Sequence, residues 1–145
     1  MSDFVIDASV VLKWIVPEAD SHEALLLRRG FALSAPDLVM AECANGCWAK
    51  VRRKEMTTEE AILAARVIQQ MDIELVSVRS LVEESTLLAL RLAHPVYDCT
   101  YLALALERRC PFVTADERLV DKVKKSGEVR LAAMVQSLSQ VAGPR

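Results

Sequence analysis

The stretch DFVIDASVVLKW, Asp3 to Trp14, sets a single carboxylate, Asp7, between two apolar runs. Phe4-Val5-Ile6 has the length and composition of a buried strand, whereas from about Ser9 the apolar positions continue at helical spacing until Pro17. A strand that passes directly into a helix is the opening half of a β/α unit, and Asp7 stands at the junction. An aspartate there has two uses. It can cap the helix by accepting a backbone N–H, or it can sit at the carboxyl end of a parallel strand, where open α/β sheets bind ligands.

The same alternation continues along the chain. A helix over about Ser21 to Arg29 ends at Gly30, and FALSAP (Phe31 to Pro36) is a short strand. Pro36 and Asp37 suit the first turn of a helix running to about Lys54. Thr57 with Glu60 forms a capping box, and Ser80 with Glu83 repeats it before a helix ending near Ala93. Pro95 separates that helix from the next, which contains Asp98 and runs to about Arg108. IELVSV (Ile73 to Val78) and PFVTAD (Pro111 to Asp116) read as strands, and VRLAAM (Val129 to Met134) reads as a fifth. Strands separated by helices predict a three-layer α/β/α domain over residues 1–145, with a central parallel sheet of about five strands.

Composition narrows the class. With 145 residues and 52% hydrophobic content, one domain with an ample core is expected. No apolar run approaches a membrane span and the N-terminus lacks the pattern of a secretion signal, so a soluble cytoplasmic protein is expected. A net charge of -2 excludes an indiscriminate polycation that coats nucleic acid, but it permits a local basic strip. Cys43 and Cys47 share a helix face, yet no C-x-x-C pair accompanies them and His22 and His94 stand alone. The four cysteines therefore read as reduced, buried, apolar side chains rather than as a zinc site.

Four acids stand out. Asp7 and Asp116 each follow a strand, so a parallel sheet places both at its carboxyl end, with helix capping as the alternative use of each. Asp98 shares a helical stripe with Leu102 and Ala105, where a carboxylate needs a partner or a metal; the alternative is a charge placed near the helix dipole. Glu42 lies in a helix among small and apolar neighbours rather than on an ordinary solvated face. Extending its face reaches Lys50 and Arg53, roughly 12 and 16 Å along the axis. They form either a strip for phosphates or a helix end that complements the dipole. Four converging carboxylates repel unless divalent cations lie among them, and hard oxygen donors select magnesium or manganese. Such sites suit phosphoryl transfer.

Other polar and aromatic residues are set aside. Asp3 precedes its strand and belongs at the opposite end of the sheet, and Asp121 reads as part of a solvated helix face. Trp14 and Trp48 fall in apolar helices, where packing is the commoner use, although base stacking remains open. His94 reads as a helix-end residue.

Taken in order, VIDASV with Asp7, AEC with Glu42, YDCTYLALA with Asp98, and VTADERL with Thr114 and Asp116 resemble the PIN-domain ribonucleases. Within them the likeness is to the VapC-type toxins of prokaryotic toxin–antitoxin pairs. This resemblance implies an α/β/α fold with a five-stranded parallel sheet and metal-dependent endonucleolytic cleavage of RNA. By similarity, Asp7, Glu42, Asp98 and Asp116 match the acidic residues that hold Mg2+ or Mn2+, with Ser9 and Thr114 as supporting hydroxyls. It also implies a homodimer and a cognate antitoxin that covers the site, often with an arginine reaching the carboxylates. Two other functions fit the acids: a phosphatase that forms a phosphoaspartate on Asp7, and a non-catalytic module that binds RNA or protein. The first usually carries an aspartate two residues on, where Ser9 stands here.

Overall fold

The computed structural model describes residues 2–141. Its strands are β1 (Phe4–Ile6), β2 (Leu33–Pro36), β3 (Glu74–Val76), β4 (Phe112–Thr114) and β5 (Val135–Ser137). They form one sheet in the order β3-β2-β1-β4-β5, and every neighbouring pair is parallel. Val5, Ile6, Phe112, Val113 and Val135 are all fully buried, as expected for a parallel sheet covered on both faces. The expected three-layer α/β/α architecture is therefore observed.

The helices are α1 (Ala8–Val11), α2 (Ser21–Gly30), α3 (Leu38–Arg52), α4 (Thr58–Gln69), α5 (Val82–Leu92), α6 (Val96–Arg108), α7 (Glu117–Lys124), α8 (Val129–Met134) and α9 (Leu138–Val141). After β1 the chain builds outward to β2 and β3, then returns to place β4 on the other side of β1. Between β1 and β4 the direction of winding reverses, and at such a switch point a crevice opens at the carboxyl ends of the strands. Pairing of Ile6 with Val113 brings the next residues, Asp7 and Thr114, level with each other at that crevice. Helix α6 packs on β1 and β2, and α3 packs on α1. Just beyond α1, Leu12 lies against Gly46 of α3, where a Cβ would stand 2.5 Å from Leu12 Cδ1.

The Thr57–Glu60 capping box forms as expected, with Glu60 N donating to Thr57 Oγ1 at 3.1 Å and Thr57 N to Glu60 Oε1 at 2.9 Å. Four expectations need correction. VRLAAM is helix α8, and the fifth strand is the next three residues, Val135–Ser137. Leu, Ala and Met are strong helix formers, while β5 is defined by its pairing with β4 rather than by an apolar run of its own. Ser80 does not cap α5. Its hydroxyl donates to Ser77 O at 2.9 Å, and Ser77 caps a short 3-10 turn over Val78–Leu81 that precedes the helix. The first helix does not run on to Pro17, since it tightens after Val11 into a 3-10 turn over Leu12–Trp14. Helix α3 stops at Arg52, short of Lys54, which adopts a φ of 61°.

Candidate active site

Asp7 is 8% exposed and receives three donors from its own crevice. Its Oδ1 accepts from Ser9 N at 3.1 Å and from the Ser9 hydroxyl at 2.5 Å, and its Oδ2 accepts from the Thr114 hydroxyl at 2.6 Å. The backbone of the β4–α7 loop holds both hydroxyls in turn. Ala115 N donates to Ser9 Oγ at 2.9 Å and Asp116 N to Thr114 Oγ1 at 3.0 Å. With each hydroxyl proton given to Asp7, the 3.3 Å approach of Ser9 Oγ to Thr114 Oγ1 is packing rather than a further bond. Ser9 and Thr114 therefore fix the carboxylate.

Asp7 is also the N-cap of α1, through the bond from Ser9 N. Asp116 caps α7 in the same way, its Oδ1 accepting from Arg118 N at 3.1 Å and Leu119 N at 3.2 Å. The two uses foreseen for these aspartates are thus not exclusive: both residues cap helices, and both stand at the carboxyl end of the sheet. Asp116 is exposed and joins Asp7 through Thr114.

Glu42 and Asp98 reach the crevice from α3 and α6. The hydroxyl of the fully buried Tyr101 donates to Glu42 Oε1. Asp98 Oδ2 stands 2.6 Å from His94 Nε2. Burial pushes the Asp7 carboxyl up to about 6 against its hydroxyl donors, and the charge of Asp98 adds to the rise. Burial likewise raises Glu42, opposed by the Tyr101 bond and reinforced by Asp98. The charge of Asp98 therefore acts on both Asp7 and Glu42, making each harder to ionise.

A hard divalent cation fits this donor set, which presents carboxylates and no thiolate. Asp7, Glu42, Asp98 and Asp116 would hold it. Among the described residues no three acidic, histidine or cysteine side chains already converge on one point, so a bound ion would have to draw the four acids closer together. The cysteines take no part: all four are free and buried, and burial pushes the Cys43 thiol up to about 12.

Both cations of the expected phosphate strip have acidic partners within the chain. Lys50 is 8% exposed, and its ammonium pairs with Glu18 at 3.2 Å and Glu55 at 3.8 Å. Arg53 is exposed but also turns to Glu55, at 2.5 Å. Lys50 is thereby committed to holding the end of α3 against the Glu18 loop. Trp14 packs on the core and donates to Ala24 O at 2.7 Å, whereas Trp48 is 55% exposed beneath the Arg52 guanidinium. Asp121 is exposed, as expected, and Asp3 ties the opposite end of the sheet by accepting from Ala32 N at 2.7 Å.

Two contributors escaped the sequence. Tyr101 reads there as one more apolar residue of YLALA, although a buried phenol always seeks a partner. His94 lies four residues before Asp98, but Pro95 between them conceals the pairing because the helix begins only after it.

A sheet of this order, with Asp7 and Asp116 just after its adjacent strands β1 and β4, defines an α/β protein that presents carboxylates at the carboxyl ends of those strands. The PIN domain model matches residues 4–125, and the chain belongs to the PIN-domain family. It is 29% identical over 121 residues to ribonuclease VapC3 of Pyrobaculum aerophilum, a match spanning 81% of this chain and 92% of that protein. A crystal structure of a protein from the same organism superposes with a TM-score of 0.61 and 20% identity, covering 90% of each chain. VapC20 of Mycobacterium tuberculosis, a sarcin–ricin loop cleaving toxin, gives 0.59 at 16% identity over 77% of this chain and 86% of its own. A toxin–antitoxin complex from Klebsiella pneumoniae gives 0.58 at 16% identity over 92% and 96%. At those identities the superpositions speak for the fold.

Proposed function

We propose that the protein is an endoribonuclease dependent on Mg2+ or Mn2+, acting as the toxin of a toxin–antitoxin pair. The observation that carries this is the buried Asp7 carboxylate at the β1–β4 switch point, held by the Ser9 and Thr114 hydroxyls and raised, like Glu42, by burial and by the charge of Asp98. A divalent cation held by these acids and Asp116 would offset their repulsion and lower the pKa of an attacking water. Ser9 and Thr114 keep the Asp7 carboxylate in one orientation, and Tyr101 does the same for Glu42. The match to ribonuclease VapC3 supports RNA as the substrate.

A cognate antitoxin is the proposed partner. Ile62, Leu63 and Val67 leave an apolar face of α4 exposed, and Ile15, Val16 and Pro17 lie across the groove beside it, which suits an apolar segment of another chain. A homodimer in the cytoplasm completes the proposal. Among the described residues no helix is long and apolar enough to cross a membrane. A phosphoaspartate mechanism gains no support, because the position two residues after Asp7 carries Ser9, whose hydroxyl is donated to the Asp7 carboxylate.

The test is incubation of purified protein, freed of any partner, with total cellular RNA under Mn2+, Mg2+ or EDTA, beside Asp98→Asn. Discrete fragments that require metal and vanish in the variant are expected. Fragments that persist in EDTA, or in Asp98→Asn at the full rate, would sink the proposal.

A further inference from the structure

The turn between α5 and α6 closes α5 and, beyond that, holds a chain of side-chain contacts that neither helix needs. Ala93 closes α5 in the left-handed region, with φ 51°, a conformation unfavourable for a residue with a Cβ. Two bonds hold it there. His94 N donates to Ala89 O at 3.1 Å, and Lys122 Nζ, from α7, donates to Ala93 O at 2.9 Å. The turn leaves the His94 ring between two charged groups: Nε2 is 2.6 Å from Asp98 Oδ2 and Nδ1 is 3.0 Å from Lys122 Nζ.

With Lys122 as an ammonium, these contacts imply one tautomer. A lysine ammonium has three protons and no lone pair, so Nδ1 must accept and the ring proton sits on Nε2, where it is donated to Asp98. The bond is not a helix cap, since α6 has Pro95 at its N-cap with no side-chain bond, and His94 meets a carboxylate rather than an orphan N–H. Asp98 Oδ1 has no protein donor among the described residues, so the histidine pins one oxygen and leaves the other available.

We propose that His94, held in its Nε2–H form by Lys122, is a positioning residue that fixes Asp98 for divalent-metal binding. The proposal rests on the assignment of Asp98 as a metal ligand. Donors behind a metal-binding carboxylate or imidazole set its orientation, and their loss typically weakens metal affinity 10- to 100-fold.

The experiment measures Mn2+ affinity calorimetrically, without RNA, for the wild-type chain, His94→Ala, His94→Gln, Lys122→Met and Asp98→Asn, with circular dichroism as a check on folding. Nitrogen-15 NMR of the metal-free protein reads the tautomer, and His94→Ala assigns the signal because the chain has two histidines. Expected are a loss of at least about tenfold in His94→Ala, substantial recovery in His94→Gln, whose amide keeps an N–H donor, and an intermediate loss in Lys122→Met. The NMR signal should show a bare Nδ1 and a protonated Nε2. Wild-type affinity in His94→Ala with a weak Asp98→Asn would overturn the role of His94 while sparing the metal ligand. Wild-type affinity in Asp98→Asn would remove the ligand assignment itself. Equal losses in the alanine and glutamine variants, or a proton on Nδ1, would also overturn the proposal. Should His94→Ala fail to fold, the glutamine and Lys122 variants together with the tautomer signal decide it.

Discussion

Replacing Asp7 with asparagine should abolish metal-dependent cleavage and at the same time stabilise the metal-free protein. Burial lifts the Asp7 carboxyl from 3.8 to about 6. At about 1.4 kcal/mol per pH unit, the rise of roughly 2 units means that the ionised group opposes folding by about 3 kcal/mol at pH 7. The sign follows from proton counts. Between 3.8 and about 6 the folded state binds more protons than the unfolded state, so stability falls as pH rises through that window. Asparagine is an equally good cap and keeps the bonds from Ser9, but its amide would leave the Thr114 proton without an acceptor, at about 1 kcal/mol. The net gain is about 2 kcal/mol at pH 7, or about 6 °C in Tm for a chain of this size.

Thermal melts in EDTA at pH 7 and pH 4 measure this directly. At pH 4 the wild-type carboxyl is itself protonated, so the gap should close to within about 1 kcal/mol. Added Mn2+ at a hundredfold excess over its dissociation constant should stabilise only the wild type, by about 2.7 kcal/mol, and cancel the difference at pH 7. An asparagine variant that melts below the wild type at pH 7 in EDTA, or a gap that is the same at both pH values, would refute the reasoning. Either result would mean that the hydroxyl donors outweigh burial at Asp7.

Three further outcomes are expected. Tyr101→Phe keeps the ring, which stacks on Phe112 with centroids 5.6 Å apart, but strips Glu42 of its donor; metal-dependent cleavage should fall about tenfold with an unchanged far-ultraviolet spectrum. Lys50→Met should lower stability by about 1 kcal/mol in denaturant titration and leave RNA affinity as it was; weakened binding would restore Lys50 to a phosphate strip. With all four thiols buried, Cys43 pushed up to about 12 and Cys99 to about 11, a thiol reagent at pH 8 should label the native protein slowly and four sites after denaturation. Rapid labelling of any native thiol would contradict that burial.

The sequence revealed most where a residue's role is set by its own neighbours. FVI before Asp7 and PFVTA before Asp116 are strands because each is a short apolar run ended by an acid that caps the helix after it, and register then brings Asp7 level with Thr114. β5 lacked such a signal, since Val135-Gln136-Ser137 becomes a strand only when β4 offers it an edge. Lys50 was misplaced through helical arithmetic as much as through its partners. Eight residues at roughly 100° each carry it about 80° around α3 from Glu42, whereas eleven bring Arg53 back to within about 20°. Once off that face, it met Glu18 from a distant loop that no local pattern could reveal.

The same contrast explains why helix capping and a place at the sheet's ligand-binding end read as rivals in the sequence and coincide in the structure. A carboxylate has about four lone-pair sites, and capping takes one or two of them. At Asp7 the cap bond from Ser9 N fixes the side-chain rotamer, the Ser9 and Thr114 hydroxyls complete the cradle, and burial raises the pKa of a group that cannot turn away. At Asp116 the cap takes Oδ1 alone, in the open, and the residue remains exposed beside the crevice. A helix that starts directly at the end of a parallel strand therefore does two things with one aspartate. It receives its first hydrogen bond, and it orients an acid at the point where the sheet opens for a ligand.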